Sequence, residues 1–400
     1  MTFNLNIYET MALVSIIFYL GKYFRNKFSI LSKYCIPPSV TGGLVFALVI
    51  LLFHETNIAT IHLDTTLQNI FMTAFFTSIG FTASIKILKQ GGIKVTVFLG
   101  LAILLVILQN ILGTLLASIF GLSPLLGLCT ASIPMVGGHG TAGSFGPILE
   151  EMGITTATTV SVASATFGLI MGSIIGGLVA RKLILHHHLK TVHDENSVSP
   201  PTEVGDYNEE NHNILSFKRL MNGACFLFIA MGLGSIVSDL IQLSGLTFPS
   251  YIGAMLVAAI IRNLYDFTSK ELVEKEIETL GGLSLSFFLT MALMGLKLWQ
   301  LFDLALPLII LLLAQVLLVG LFAYFVTYRV MGKNYEAAVF SSAICGFGMG
   351  ATPNAIANMD ELTNRYGFVP TPYFVVPIVG CLFIDFVNSA IITLFINLFH

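Results

Sequence analysis

The sequence predicts an all-α integral membrane protein with about ten transmembrane helices. Of its 400 residues, 55% are hydrophobic and 10% are charged, and the mean hydropathy is +0.86, which is far outside the range of soluble globular domains. The apolar runs are continuous over roughly 15 to 25 residues, as spanning helices require. Strands of an outer-membrane barrel would instead alternate in polarity over about ten residues. The net charge of −3 provides no basic surface for nucleic acid.

The predicted spans follow the apolar runs, because each run is close to the roughly 20 residues that cross a bilayer. They lie at Ile7–Tyr23, Pro38–Phe53, Ile70–Ile85, Val95–Phe120, Thr158–Ala180, Leu220–Ile241, Pro249–Ile261, Leu280–Leu296, Leu304–Tyr328 and Pro370–Leu398.

The basic residues predict the orientation of these spans. With the N-terminus outside, 18 of the 19 Lys and Arg residues fall in cytoplasmic segments, and only Lys297 falls outside. Lys and Arg concentrate on the cytoplasmic side of membrane proteins, so both termini are expected to be external. The first run has no basic residue before it, unlike a secretory signal peptide, and is expected to be retained.

Two stretches, residues 125–152 and 335–362, are too interrupted to cross as regular helices. The first contains Gly137–Thr141 and the second contains Gly346–Asn354. Glycine-rich backbone at membrane depth is tolerated only inside protein or around a polar cavity, since its polar groups must find partners. Both stretches are therefore predicted to be re-entrant hairpins, the first entering from outside and the second from the cytoplasm.

An internal repeat relates the two halves of the chain at offsets of 210 to 212 residues. The matches are Pro38, Ser39 and Gly42 with Pro249, Ser250 and Gly253, then Phe75 and Phe76 with Phe287 and Phe288, and then Ser132, Gly138 and Gly140 with Ser342, Gly348 and Gly350. The predicted domains are an N-terminal repeat (1–180), a cytoplasmic linker rich in histidine and acidic residues (181–219) and a C-terminal repeat (220–400). Five spans per half is an odd number, so the repeats are inverted, an arrangement typical of secondary transporters.

The hairpins supply most of the candidate binding residues. Gly138, Gly140, Gly348 and Gly350 would let the backbone turn sharply and approach a ligand closely. Hydroxyl and amide contacts are expected from Ser132, Thr141, Ser342, Thr352 and Asn354. The alternative is that the glycines only allow tight helix packing.

Two further residues could carry chemistry. Asp385 is the only carboxylate deep within a predicted span, where an ionised group costs about 3 kcal/mol and normally serves a cation or a proton; the alternative is a hydrogen-bonded contact with Asn388 or a neighbouring hydroxyl. His139 could donate to a substrate or satisfy free carbonyls at the hairpin tip. No Lys or Arg is predicted at the midplane, so an anionic substrate would need helix ends, hydroxyls and a co-transported cation to balance its charge.

The hairpin motifs and several others resemble the bacterial sodium/glutamate symporter family over essentially the whole chain. The resemblance is carried by Gly137–Thr141, Phe287–Trp299, Met331–Tyr335 and above all Cys345–Met359. It implies sodium-coupled uptake of L-glutamate across the bacterial inner membrane by a homodimer. Related citrate carriers suggest an elevator mechanism. Asp385 would then bind sodium, together with Asn388, or the ammonium of the substrate.

Other functions stay open at this point. A dicarboxylate or citrate carrier would not need a partner for an amine, such as Asp385. An ion channel could use hairpin carbonyls as a filter, although repeated halves favour alternating access. The chain has no GxSG or HExxH motif, and it is not expected to be an enzyme.

Overall fold

A computed structural model of the chain describes residues 2–29, 31, 36–56, 60–90, 92–189, 216–242, 250–266, 268, 272–301 and 304–399. Residues 190–215, which form most of the predicted linker, lie outside the described residues. So does Pro249 of the predicted repeat.

Helices dominate the described chain. In order they are α1 (Ile7–Lys27), α2 (Pro38–Glu55), α3 (Thr66–Thr82), α4 (Ile85–Gln90), α5 (Gly92–Ile119), α6 (Pro124–Leu128), α7 (Ser132–Met135), α8 (Gly138–Glu151), α9 (Ala157–His186), α10 (Phe217–Gln242), α11 (Ser250–Asp266), α12 (Glu274–Met294), α13 (Ala305–Leu321), α14 (Tyr328–Val330), α15 (Tyr335–Gly348), α16 (Thr352–Tyr366), α17 (Pro370–Pro377) and α18 (Ile384–Phe399). A 3₁₀ turn spans Leu298–Leu301, and π-helical segments span Phe322–Thr327 and Ile378–Phe383.

The described helices confirm the prediction of an all-α membrane protein. Six of the described helices are long and apolar enough to cross a bilayer, and a seventh is added if the bent pair α17 and α18 counts as one span. Helices also occupy the other three predicted positions, but α1 carries several charged residues, and α3 and α11 have 17 residues each. The total of ten spans stays a prediction.

The last predicted span is not a regular helix. Its two parts, Pro370–Gly380 and Ile384–Phe399, meet at an angle of 44°. The break falls at the end of the π-helical segment Ile378–Phe383, and Pro377 lies immediately before this segment. Proline removes one backbone hydrogen bond and clashes with the preceding turn, which favours an irregular helix from this point.

One small β-sheet departs from the all-α prediction. Strand β1 (Thr2–Asn4) pairs in parallel with β2 (Thr60–His62), and Phe3 lies opposite Ile61. These residues lie outside the predicted spans, where polar and apolar residues alternate, as is typical of a strand. The sheet holds the start of α1 near the segment between α2 and α3.

The helices pack into two bundles. Bundle 1 consists of α1–α3 and α10–α12, and bundle 2 consists of α5–α9 and α13–α18. Within bundle 1, a β-carbon at Gly42 would collide with the carbonyl of Ile17, and within bundle 2 one at Gly168 would collide with the carbonyl of Met349. Small residues at these crossings let helix backbones touch, as is common in membrane proteins.

Long-range side-chain hydrogen bonds connect helices of the same bundle. In bundle 1, Arg219 pairs with Glu276 at 2.7 Å. In bundle 2, Gln109 donates to the carbonyl of Gly348 at 2.7 Å, and Gln315 donates to the carbonyl of Gln109 at 3.0 Å. Gln109 thus links α5 to α15, and Gln315 links α13 to α5.

Candidate substrate and ion site

The first interrupted stretch folds as two helical parts around a glycine break. Helix α7 ends at Met135, and α8 begins at Gly138, whose φ of +59° is in the left-handed region. A side chain is disfavoured there, so glycine allows the sharp reversal. The first backbone N–H groups of α8 have no partner within the helix, which leaves a partial positive charge at this tip.

The second interrupted stretch has the same design. Helix α15 ends at Gly348, the chain becomes extended at Ala351, and α16 begins at Thr352 with Pro353 in its first turn. Proline is favoured in the first turn because its missing N–H would have no helical partner. A β-carbon at Gly346 would lie 2.7 Å from the amide nitrogen of Ala355, so glycine is required for α15 and α16 to pack this closely.

The two helix tips meet. A β-carbon at Gly138 would lie 3.2 Å from the carbonyl oxygen of Gly350. Both tips open into a cavity of about 530 Å³ between the two bundles. Each tip presents the N-terminal end of a helix, α8 or α16, to this cavity. Two helix N-termini at one cavity form a favourable environment for anionic groups.

Half of the predicted site residues line this cavity. They are Gly138, His139, Gly140, Gly350, Thr352 and Asp385. The remaining predicted residues do not line it: Ser132, Thr141, Ser342, Gly348, Asn354 and Asn388. Both sets stay predictions as ligands.

Asp385 is positioned by the bend of the last helix. It is the second residue of α18, directly after the π-helical segment, and it is partly buried in the cavity wall. The segment passes close to the second hairpin, since a β-carbon at Gly380 would lie 2.5 Å from Oγ1 of Thr352. Among the described residues, its carboxylate has no ion-pair partner. The bend therefore brings a carboxylate without a cationic partner to the two helix tips.

Asn388 lies one helical turn beyond Asp385 and is fully buried. Its side-chain nitrogen donates to the backbone oxygen of Ser132 at 3.2 Å, while Asn110 accepts from the backbone nitrogen of Ser132 at 3.1 Å. The side-chain oxygens of Asn388 and Ser132 have no hydrogen-bond partner among the described residues. Buried oxygens without donors are costly unless a cation or water satisfies them, and oxygens are the ligands that hard cations prefer.

Asn354 presents a similar free oxygen on the other side of the tips. Its side-chain nitrogen donates to the carbonyl of Leu169 at 2.9 Å, and its side-chain oxygen lacks a partner among the described residues. Ser342 is also fully buried with an unpartnered hydroxyl oxygen, and its carbonyl accepts from Asn358 at 3.4 Å. These groups lie behind the second hairpin tip, outside the cavity wall.

His139 and Thr141 have local partners. Nε2 of His139 lies 2.9 Å from Oγ1 of Thr166 on α9, a contact that neither alternative from the sequence includes. The side chain of Thr141 packs against Gly137, where a β-carbon would collide with it. Thr141 therefore stabilises the turn at the first tip.

The opposite wall of the cavity was not predicted. It is formed by α3 and α12 of bundle 1, including Phe75, Ser78, Glu274 and Glu278. The repeated Phe pairs were the available signal: Phe75 lies against Gly140, and Phe288 lies against Gly143 of α8. The described lining carries three carboxylates, Glu274, Glu278 and Asp385, and no Lys or Arg.

Comparison of the sequence with known proteins identifies the family of the chain. The family described as "Sodium/glutamate symporter" matches residues 3–368. A sodium/glutamate symporter of Escherichia coli (strain K12) is 39% identical over 399 residues, covering 99% of this chain and 98% of the relative. A sodium/glutamate symporter of Haemophilus influenzae is 35% identical over 394 residues, covering 98% and 97%. The chain therefore belongs to the sodium/glutamate symporter family.

Proposed function

We propose that this protein is a secondary active transporter that imports L-glutamate together with sodium, and that it is not an enzyme. The observation that carries the proposal is the meeting of two helix N-termini with Asp385 at one cavity. The relatives carry the same function in their names.

The charges of the cavity fit the chemistry of glutamate. Its two carboxylates suit the N-terminal ends of α8 and α16, where free N–H groups carry partial positive charge. Asp385 supplies the negative charge that either an ammonium group or a sodium ion would need. The free oxygen of Asn388 would be a further sodium ligand one turn away. Since no Lys or Arg lines the described wall, co-transported sodium would balance the net negative charge of glutamate.

Sodium coupling also follows from the membrane potential. An inside-negative potential opposes entry of one negative charge by about 2.3 kcal/mol per 100 mV. Bound sodium would neutralise the substrate and drive it inwards. Uptake would therefore require sodium on the external side.

The two bundles support an elevator mechanism. The cavity lies between them: the tips and Asp385 belong to bundle 2, and Phe75, Glu274 and Glu278 belong to bundle 1. The facing surfaces pair glycines with aromatic rings, as in Gly143 against Phe288, which would allow one bundle to slide along the other. Bundle 2 would carry the substrate, and bundle 1 would form the scaffold and the contact of a homodimer.

The cavity points to an inward-facing state. Its lining reaches Ile87, Glu274 and Glu278, near ends of α3 and α12 that the charge distribution assigns to the cytoplasm. We propose the same orientation for the whole chain. It would lie in the inner membrane with external termini and ten spans, arranged as two inverted repeats with re-entrant hairpins.

Counterflow in proteoliposomes tests the function. Liposomes loaded with unlabelled L-glutamate should accumulate labelled L-glutamate only when sodium is present. An imposed sodium gradient should drive net uptake. Equal exchange of citrate or of a dicarboxylate without an amine would favour the alternative carrier, and uncoupled sodium current would favour a channel.

A further inference from the structure

A second cavity, of about 800 Å³, lies between α9 and α13 at a distance from the hairpin tips. Lys182, His186 and His187 enter it from the end of α9. Arg329 enters it from α14, and Lys333 from the turn that follows α14. None of these residues belongs to the proposed transport site. The charge distribution assigns this end of both helices to the cytoplasmic side.

Within the described part of the chain, no carboxylate pairs with the cations of this groove. Lys182, Arg329 and Lys333 form no ion pair with any described carboxylate, whereas Lys94 pairs with Glu336 at 2.7 Å. Two of the cations rest on aromatic rings instead. Nζ of Lys182 lies 5.6 Å from the ring centroid of Tyr324, and Cζ of Arg329 lies 5.7 Å from that of Phe325. Cation–π contacts leave the N–H donors available to an anion.

The local backbone fixes this arrangement. The π-helical segment Phe322–Thr327 widens the helix at the groove, and such segments are frequent at functional sites. Tyr328 accepts from the amide of Lys333 at 3.0 Å and donates through its hydroxyl to the carbonyl of Lys333 at 3.1 Å. These two bonds hold Lys333 at φ +55°, a left-handed conformation that lysine rarely adopts.

The rest of the groove is apolar and open. Leu178, Leu321 and Phe325 line it, with 62%, 46% and 45% of their surfaces exposed. They lie on the candidate spans Ala157–His186 and Ala305–Val330, so this wall continues into the lipid-facing surface. The groove therefore combines a cationic mouth with an apolar wall.

We propose that this groove binds an anionic phospholipid, with the phosphate at Lys182, Arg329 and Lys333 and an acyl chain along Leu178, Leu321 and Phe325. Basic pockets between transmembrane helices on the cytoplasmic side suit anionic headgroups. A free phosphate would use the cations and leave the apolar wall without a partner, which is why a lipid fits better. The acidic linker of this chain is the other possible occupant.

Native mass spectrometry of the purified full-length protein tests the proposal. The protein is titrated with phosphatidylglycerol or with phosphatidylcholine of the same acyl chains. The groove variant is Lys182→Gln/Arg329→Gln/Lys333→Gln. The matched control, Lys22→Gln/Lys27→Gln/Lys218→Gln, removes three cations from other predicted cytoplasmic ends. Each of the three cations contributes about 1 kcal/mol. The groove variant should therefore bind phosphatidylglycerol at least about a hundredfold more weakly than the wild type and the control. Phosphatidylcholine binding should be equal in all three.

Two further arms separate the other occupants. An excess of inorganic phosphate should not displace phosphatidylglycerol; displacement would make this a free-anion site and overturn the proposal. A variant with Asp194→Asn, Glu195→Gln, Glu203→Gln and Asp206→Asn should bind phosphatidylglycerol as the wild type does. If only this linker variant bound the lipid, the linker would be the occupant. Equal binding of phosphatidylglycerol by the groove variant and the control would also overturn the proposal. Elution of each variant as a single species in size-exclusion chromatography shows that both are folded.

Discussion

Gly138 and Gly350 face each other at the tips of two separate hairpins, so that a β-carbon on Gly138 would lie 3.2 Å from the carbonyl oxygen of Gly350. Gly138 also has the left-handed φ of +59°. The left-handed φ favours glycine, and a β-carbon at this position would also require the carbonyl of Gly350 to shift by a few tenths of an ångström. The spacing of the two helix N-termini at the cavity thus depends on the absence of a side chain at Gly138.

Gly138→Ala should lower sodium-driven glutamate uptake by about tenfold or more. A left-handed alanine costs about 1–2 kcal/mol, and the backbone would relieve that cost by separating the tips. Uptake into proteoliposomes, normalised to reconstituted protein, measures the effect. Gly121→Ala is the matched control, because Gly121 has a φ of +71° and open space around it. It should lose similar thermal stability but retain transport. Equal transport loss in both variants would assign the effect to folding.

Gly348→Ala should be much milder. A β-carbon there would meet Cδ2 of Leu105 at 2.6 Å, the far end of a flexible side chain that can move aside. We expect uptake within about threefold of wild type, as for a modest overpacking cost near 1 kcal/mol. If Gly348→Ala lost as much uptake as Gly138→Ala, the effect of alanine would not depend on the contact between the two tips.

The helix breaks could be predicted from sequence because their cause is local. Clustered glycines in Gly137–Thr141 and Gly346–Asn354 cannot continue a regular span. The bend before Asp385 could not be predicted, since one proline within a long apolar run is tolerated in spanning helices. The 44° bend follows the π-helical segment, where Gly380 packs closely against Thr352 of the second hairpin.

The sequence also could not predict which side chains face the cavity. Ser132 and Ser342 share the repeat with the tip glycines, yet both are buried behind the cavity. Helix α7 and, beyond its first turn with Tyr335 and Glu336, helix α15 carry only apolar or small residues and are buried in protein, so the sequence gives no polar face that would indicate their orientation. The wall of α3 and α12 depends on how the two bundles meet, and only the repeated Phe pairs hinted at it.

Asp385→Asn should fold and insert normally but lose sodium-driven accumulation of glutamate. Removing this charge leaves no described cation without its partner, so the stability cost should be small. If Asp385 binds sodium, residual substrate binding should show a flattened sodium dependence. If it binds the ammonium group, the preference for glutamate over glutarate should relax.

Glu278→Gln is the control for that variant, since Glu278 lines the same cavity but is exposed. It should transport nearly as the wild type does. If Asp385→Asn keeps the sodium dependence and the substrate selectivity of the wild type, Asp385 has a structural role and binds neither sodium nor substrate.

The two buried amides should separate ion binding from substrate binding. The free oxygen of Asn388 lies one turn from Asp385, whereas that of Asn354 lies behind the second tip. Asn388→Ala should raise the sodium concentration for half-maximal uptake by about tenfold, which corresponds to one lost charge-assisted contact, with little change in the KM for glutamate. Asn354→Ala should mainly raise the KM for glutamate. Identical kinetic changes in both would contradict separate roles.

The topology can be tested from cysteine accessibility in a background without the five native cysteines. With external termini and a cytoplasmic linker, a membrane-impermeant maleimide added to intact cells should label a cysteine at His400 and not one at Ser197. Both positions lie outside the described residues. Labelling at Ser197 would contradict the inverted arrangement of the halves, and permeabilised cells, in which both sites should react, supply the control.

A disulfide between the bundles tests the elevator proposal most directly. A β-carbon at Gly143 of α8 would lie 3.5 Å from that of Ala292 on α12, within the range of about 3.5–4.5 Å for disulfides. Gly143→Cys/Ala292→Cys, in the cysteine-free background, should cross-link on oxidation and hold bundle 2 in the inward-facing position. Sodium-driven uptake should then fall in proportion to the cross-linked fraction and recover on reduction. Each single cysteine variant controls for the substitution itself, because it can form no such bond. If fully cross-linked protein instead accumulated glutamate as fast as the same protein after reduction of the disulfide, the substrate would cross without movement between these two bundles. A local gating mechanism would then replace the elevator.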